Sequence, residues 1–395
     1  VENKEKIIFN ELMSFLKKYP SKELPILEIK GLKINFDKVL YEIKKESIIE
    51  MKNIGESMAF WHFVPKMEES VVCKKWITLD KESGLLLPGE SVTITATIFV
   101  DSKTAHVLNA GKDLLQDVLI LRIENSNDYY VDIKADYERS CFGMSLEDLI
   151  QFPQPISDLP LPAANPEFFY NLQLQQQQQQ QLQSQSQQGA FSENMTSGNN
   201  NAANVKLSIP KELWRIIDAL WAGNALREKD LFNTPGDTSE ISQIRYALDH
   251  GLEFNFQMSP HSLADCLIHF LNSLPKPLLP MELYPTAEID PMNMRSFCRK
   301  FLEDLPTINY NVFVYLISFF REVLAEESYN RCTAEQLSSV CVQCMTSTNG
   351  TTPSTNDDYF IDFSDNLTKE EKEKRLFRQS YVQQIIFHLL TTNTI

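Results

Sequence analysis

A turn-rich stretch, LREKDLFNTPGDTSEISQIRYALDHG (residues 226–251), stands out because its residue types belong at a recognition or catalytic loop. Asn-Thr-Pro-Gly is turn chemistry. Asp237 or Thr238 is placed to cap the helix that follows. Such a loop, closed by a capped helix, presents its tip to a partner. The six histidines add no catalytic constellation. His62 lies in a strand of aromatics, His261 near a helix cap, and His269 on an apolar helix, where it reads as a satisfied core group. Cys341 and Cys344 form a CxxC in VCVQCMT without a second ligand pair, so they read as core packing and not as a metal site. No Ser/His/Asp set, no metal spacing and no phosphate-cradling glycine loop occurs, so neither a metal nor another cofactor is expected.

The elements that position this loop follow from composition and periodicity. With 395 residues and 43% hydrophobic content, the chain can build two or three cores. Its net charge of -16 excludes nucleic acid as the main partner, because a phosphate backbone demands clustered Lys and Arg. No run of about 18 apolar residues is present, so no membrane span is expected. The charged, amphipathic start VENKEKIIFNEL does not read as a signal peptide. Opening on Val1, the chain reads as a fragment of a longer protein. Seven scattered cysteines, six in hydrophobic surroundings, fit a reducing compartment.

Residues 25–140 hold short runs rich in Val, Ile, Thr and aromatics: ESIIEMKNIG, MAFWHFVPK, KKWITLD, SVTITATIFVD, DVLILRIE and DYYVDIKADY. SVTITATIFV alternates at period two, and turn signals at Asn53-Ile54-Gly55, Ser83-Gly84, Pro88-Gly89 and Ser126-Asn127 separate the runs. The expected fold is an all-β antiparallel sandwich. Residues 1–24 hold a linker helix with Ile8, Leu12, Phe15 and Leu16 on one face. Residues 141–170 are a proline-punctuated connector, and 171–204 a Gln/Asn-rich insertion too polar to offset its ordering entropy. From 205 to 395 the period becomes 3.6, which predicts an all-α bundle of six or seven helices. Pro210 stands at the first helical position of its first helix, and Ser259 caps another that Pro275 stops. Between the last two helices, TNGTTPSTNDDYFIDFSDNLTKEEKEK reads as a mobile, acidic surface loop.

The helical motifs resemble RhoGAP domains. HSLADCLIHFLNSLPKPLLP is similar to the signature in which a helix ends in Leu-Pro-x-Pro-Leu. LPTINYNVFVYLISFFREV resembles the Leu-Pro-x-x-Asn helix, and NRCTAEQLSSVCVQ the later Asn-x-Met-x-x-x-Asn-Leu-Ala segment. The opening loop then aligns with the one that supplies an arginine finger, whose guanidinium stabilises transferring phosphoryl charge and is worth about 10³–10⁵ in rate in GTPase systems. Phe232 and Gly236 match that loop, but the arginine position falls on Asn233. An amide has neither the charge nor the five-donor fork for this task. The family's Lys and Arg on the second helix fall on Ile268 and Asn272, and its later Asn on Gln336. The resemblance therefore implies a RhoGAP fold kept for binding, with the catalytic set empty. Arg227 and Arg245 are the nearest substitutes for the finger, and both read as surface salt bridges.

GLLLPGESVTITATIFVD and DVLILRIENSNDYYVDIKADYERSCFG resemble the ASH domain, an immunoglobulin-like relative of the major sperm protein module. With IPKELW, EKDLFNTPG, SCFG and ISDLPL, the chain is similar to the C-terminal half of OCRL-like, type II inositol polyphosphate 5-phosphatases, downstream of the enzyme. That resemblance implies a non-enzymatic chain that binds Rab GTPases on the ASH side, through Tyr130 of DYYVDI and through Phe9 and Leu12 of the first helix. It also implies that the helical side takes endocytic adaptor peptides with Phe and His anchors, beside Trp214 and Trp221, and Rac- or Cdc42-type GTPases. Core packing is the competing reading of the two tryptophans. The implied location is cytoplasmic, peripheral on endosomal and Golgi membranes through these partners. Two other readings stay open: an active GTPase-activating protein with a displaced arginine, and a peptide-binding scaffold without a GTPase partner.

Overall fold

The computed structural model describes residues 11, 14, 24–152, 154–159, 209–254, 258–287, 289–346 and 369–392. They form two compact units. The first comprises Val1–Thr104 and Asp113–Glu138, the second Ala105–Lys112 and Arg139–Ile395. The tract expected over 171–204 lies outside the described residues, as does nearly all of the linker helix, Phe9, Leu12 and Phe15 included.

The first unit is a sandwich of two sheets. Strands β1 (Leu27–Lys30), β3 (Lys45–Asn53), β7 (Ser91–Ile98) and β5 (Ile77–Leu79) form one, in the order β1-β3-β7-β5. The other runs β2 (Lys33–Val39), β9 (Asp128–Tyr137), β8 (Gln116–Ile123), β4 (Ala59–Val64), β6 (Ser83–Leu86). Period-two alternation sets which side chains face in. Ile94, Ala96 and Ile98 of β7 are fully buried, as are Val131 and Ile133 of β9. They meet Ile49, Met51, Leu119 and Leu121 in the core.

Three features depart from the sequence expectation. The sandwich is not purely antiparallel, because β2 pairs in parallel with β9. Ser83-Gly84, expected to be a turn, opens strand β6: Gly84 lets the backbone lie against the Trp61 ring, 2.7 Å from where a Cβ would stand. A helix, α1 (Ser102–Asn109), follows β7. Strands β1 and β2 were not read from sequence: β1 has only four residues, and the Ile34/Phe36 alternation of β2 breaks at Asp37-Lys38, where its register against β9 shifts.

In the second unit, α2 (Leu146–Gln151) is followed by α3 (Lys211–Trp221), α4 (Thr238–Asp249), α5 (Pro260–Asn272), α6 (Met294–Glu303), α7 (Thr307–Ala325), the single turn α8 (Glu327–Asn330), α9 (Ala334–Met345) and α10 (Lys369–Thr391). Helix α3 begins at Lys211, and Pro210 is its N-cap and not its first residue. Ser259 caps α5 by accepting from His261 N. The acidic loop expected before the last helix is shorter than anticipated: its LysGluGluLysGluLys run, 369–374, is the first turn and a half of α10. The rest of that loop, 348–368, lies outside the described residues.

The described residues of the proline-punctuated connector pack into the second unit's core. Cys141, Phe142, Met144, Leu149, Phe152 and Ile156 are buried. Phe142 stands edge-on to Phe270 of α5, with centroids 5.6 Å apart. Asp249, the last residue of α4, accepts hydrogen bonds from Cys141 N (2.7 Å) and Ser140 Oγ (3.1 Å), and Ser273 Oγ accepts from Gly143 N. No described helix is long and apolar enough to cross a membrane.

Candidate functional site

The loop from Leu226 to Asp237 is held by bonds along its length. Asp230 N donates to Asn330 O (2.8 Å), and Asp230 O accepts from Asn233 N (2.9 Å) and Thr234 N (3.0 Å). Phe232 takes a left-handed backbone (φ 66°), which costs a bulky residue energy. Burial repays that cost, for its ring packs on Phe320 and Phe319 of α7 at 5.3 and 6.3 Å. At the other end, Gly236 N donates to Asp265 Oδ2 (2.7 Å) and Asp237 N to Ser262 Oγ (3.0 Å). A Cβ on Gly236 would stand 2.5 Å from Ser262 Cα, so only glycine permits this approach to α5. Of the two candidate caps, Asp237 is the one used: its Oδ1 accepts from Ser239 N and Glu240 N.

This bonding leaves Asn233, Thr234 and Pro235 exposed at the tip. Arg227 is committed elsewhere. Its guanidinium makes two bonds to the Glu326 carboxylate (2.9 and 3.3 Å) and lies 4.8 Å from the Tyr329 ring centroid. Arg245 is not the surface ion pair expected of it. It is 7% exposed, with its guanidinium over the Phe142 ring at 6.0 Å and bonded to Ser242 Oγ. Helical phase explains the difference: position 245 falls on the face of α4 that also buries Ile241, Ile244 and Leu248. Of the further positions expected beside the finger, Ile268 and Asn272 are half-buried on α5. Gln336 serves the helix itself: its Oε1 accepts from Thr333 N while Thr333 Oγ1 accepts from Gln336 N, a capping box at the start of α9.

Sequence reasoning missed Asn330. Its Nδ2 donates to Leu226 O and Val323 O (2.8 and 2.7 Å), so one side chain ties the loop's first residue to α7. Its distance of about a hundred positions from the loop hid the link. His269 also departs from expectation, being exposed and not a core group. Helix α5 is apolar on most of its circumference, which masked the one open position. Cys341 and Cys344 are buried, and burial pushes the Cys344 thiol up to about 12, so it stays protonated at neutral pH. Among the described residues no group of three or more His, Cys, Asp or Glu could hold a metal ion.

Two further surfaces carry exposed aromatics. On the sandwich, Tyr130 of β9 is 61% exposed and pairs across the ladder with Ile120 of β8, beside exposed Val118. Arg122 and Asp128 close that ladder with two hydrogen bonds of 2.9 and 2.7 Å. On the helical unit, Trp214 and Trp221 are 49% and 40% exposed. Core packing does not hold for Trp214, and seven residues of spacing bring both to one side of α3 with exposed Asp218 between them. Trp221 stands edge-on to Tyr315 and Phe319 of α7, with centroids 6.1 and 5.8 Å away.

Comparison with known proteins agrees with this architecture. The family model for the inositol polyphosphate 5-phosphatase OCRL-like ASH domain matches residues 29–137, and that for the RhoGAP domain matches residues 210–349. A type II inositol 1,4,5-trisphosphate 5-phosphatase of Mus musculus is 30% identical over 330 residues, which is 84% of this chain and 31% of that protein. Rho GTPase-activating protein 68F of Drosophila melanogaster is 30% identical over 139 residues, 34% of this chain and 29% of its own length. The solved structure of human Rho GTPase activating protein 15 aligns at a TM-score of 0.36 and 17% identity, covering 46% of this chain and 81% of that one. This chain thus spans 31% and 29% of the two curated relatives, so most of their length has no counterpart in it.

Proposed function

We propose, from the premise that this chain joins an OCRL-like ASH domain to a RhoGAP domain, that it is the non-catalytic targeting and adaptor region of a phosphoinositide 5-phosphatase. In this reading the finger loop binds Rac- or Cdc42-type GTPases without accelerating hydrolysis. The observation that carries it is the exposed amide of Asn233 at the tip of a loop held by hydrogen bonds on both sides of that tip, while Arg227 and Arg245, the two candidates for a displaced finger, are engaged elsewhere. Transition-state stabilisation needs a fixed positive charge aimed at the transferring phosphoryl group, and an amide supplies none.

The sandwich face around Tyr130 and the aromatic side of α3 are the other two contact surfaces of this reading. Tyr130 beside Ile120 and Val118 is an amphipathic anchor of the kind that dominates interfaces, suited to a Rab GTPase. Trp214 and Trp221 flank Asp218, an arrangement that receives an apolar anchor and a basic one from an amphipathic adaptor helix. Through these partners the protein is held on endosomal and Golgi membranes from the cytoplasmic side.

Single-turnover GTP hydrolysis by Rac, Cdc42 and Rho proteins, with and without the chain, tests the central claim alongside direct binding of their GTP forms. Binding without acceleration is the expected outcome. A hundredfold acceleration, about 2.7 kcal/mol of barrier, refutes it.

A further inference from the structure

The corner that holds the finger loop concentrates left-handed backbone. Among the described residues eight non-glycine positions have positive φ, and three of them, Asp230, Phe232 and Arg331, sit in the loop or in the turn bonded to it. The turn after α8 reaches the loop directly. Asn330 O accepts from Asp230 N, Cys332 Sγ donates to Leu231 O, and Asn330 Nδ2 donates to Leu226 O. Arg331, between Asn330 and Cys332, is therefore a neighbour of the loop in space while lying about a hundred residues away in sequence.

Arg331 differs from the other two arginines near the loop. It is exposed, and among the described residues its guanidinium has no hydrogen-bond or ion-pair partner. Its backbone is the left-handed cap of α8 (φ 62°, ψ 18°), a position where glycine or asparagine is at ease and a long side chain is not. The cap fixes the direction from which the side chain leaves the turn, and Asn330 and Cys332, both buried and bonded on either side, hold that cap still. Glu228, Asp230, Glu326 and Glu327 lie on the segments bonded to this turn, and Glu326 is already paired with Arg227. A free cation in an acidic setting is a point of charge selection for what docks there.

We infer that Arg331 is the cationic contact of the finger-loop face, a binding and specificity residue that engages a carboxylate on the docking GTPase. This rests on the reading that the loop binds a GTPase, and its role is contact and not catalysis. Arg331 is anchored to the turn bonded behind the loop and not to its tip at Asn233, so its assigned part is contact, at the edge of the docking face. A rim charge acts on association rate and salt dependence more than on the chemical step.

The test uses the 395-residue chain and Rac, Cdc42 and Rho proteins loaded with a non-hydrolysable GTP analogue, at low and high salt. Arg331→Glu is expected to weaken binding about tenfold at low salt, with the difference shrinking at high salt. Arg331→Gly is expected to weaken it similarly while melting no lower than the parent, because glycine relieves the left-handed strain. Arg331→Lys, which keeps the charge, is expected to retain most of the affinity. Equal affinity for the parent, Arg331→Gly and Arg331→Glu overturns the inference, and so does loss of binding in Arg331→Gly accompanied by a lower melting temperature and no recovery in Arg331→Lys. Failure of the parent to bind any of these GTPases refutes the loop reading itself and removes the inference with it.

Discussion

Asp249 offers a quantitative check on how the helical unit is held together. Its carboxylate is fully buried at the end of α4 and accepts from Cys141 N and Ser140 Oγ, which lowers its pKa. Burial outweighs those bonds and raises the group from 3.8 to about 6. The sign follows from proton linkage. The folded protein binds the proton more tightly than the unfolded chain, so stability is fully present below about pH 4 and is lost as pH rises through 6. With those two pKa values, Asp249 alone removes about 1 kcal/mol of unfolding free energy between pH 5 and pH 7. Asp249→Asn keeps an acceptor oxygen for Cys141 N and Ser140 Oγ but cannot ionise. Urea unfolding followed by far-UV circular dichroism, at several pH values, measures parent and variant side by side. The expected result is that the variant gains about 1 kcal/mol on the parent between pH 5 and pH 7. Parallel curves would show that Asp249 keeps an ordinary pKa, and the argument from burial would then be wrong.

Four other outcomes are expected. Gly236→Ala forces a Cβ against Ser262 Cα, so the loop must shift off α5, at a cost of about 1–3 kcal/mol in denaturant melts and with weaker GTPase binding. Asp117→Ala removes a buried carboxylate that accepts from Lys74 N and Val118 N and pairs with Lys66, and it should cost the sandwich about 3 kcal/mol by the same measurement. Tyr130→Ala and Trp214→Ala should leave the melting temperature within a degree or two, since both side chains are largely exposed, while reducing Rab and adaptor-peptide binding respectively in calorimetry. Asn233→Arg should restore at most about a hundredfold of GTPase stimulation, below the full worth of a finger, because Ile268 and Asn272 supply no accompanying cations.

The two-unit architecture, most strands and all seven helices of ten residues or more were legible in the sequence, because their signals are local. Period-two alternation in SVTITATI, 3.6-residue periodicity in α7, and Ser259 before Pro260 are each decided by residues within one element. The loop's shape was legible for the same reason, since turn residues and the Asp237 cap act on their own backbone. The sequence alone also determined that position 233 is an amide without charge. What it left open was which side chains have partners, and that is a matter of long-range packing. Arg227 and Arg245 look alike as isolated cations, yet one meets Glu326 ninety-nine residues away and the other is buried against Phe142, over a hundred positions before it. Strand β2 found a parallel neighbour in β9, a pairing about a hundred residues apart that no local pattern encodes. Arg331 came beside the finger loop only because Asn330 and Cys332 bond to it from a distant turn. Local preference sets the backbone of each element, whereas desolvation and pairing energies depend on which elements the folded chain brings together.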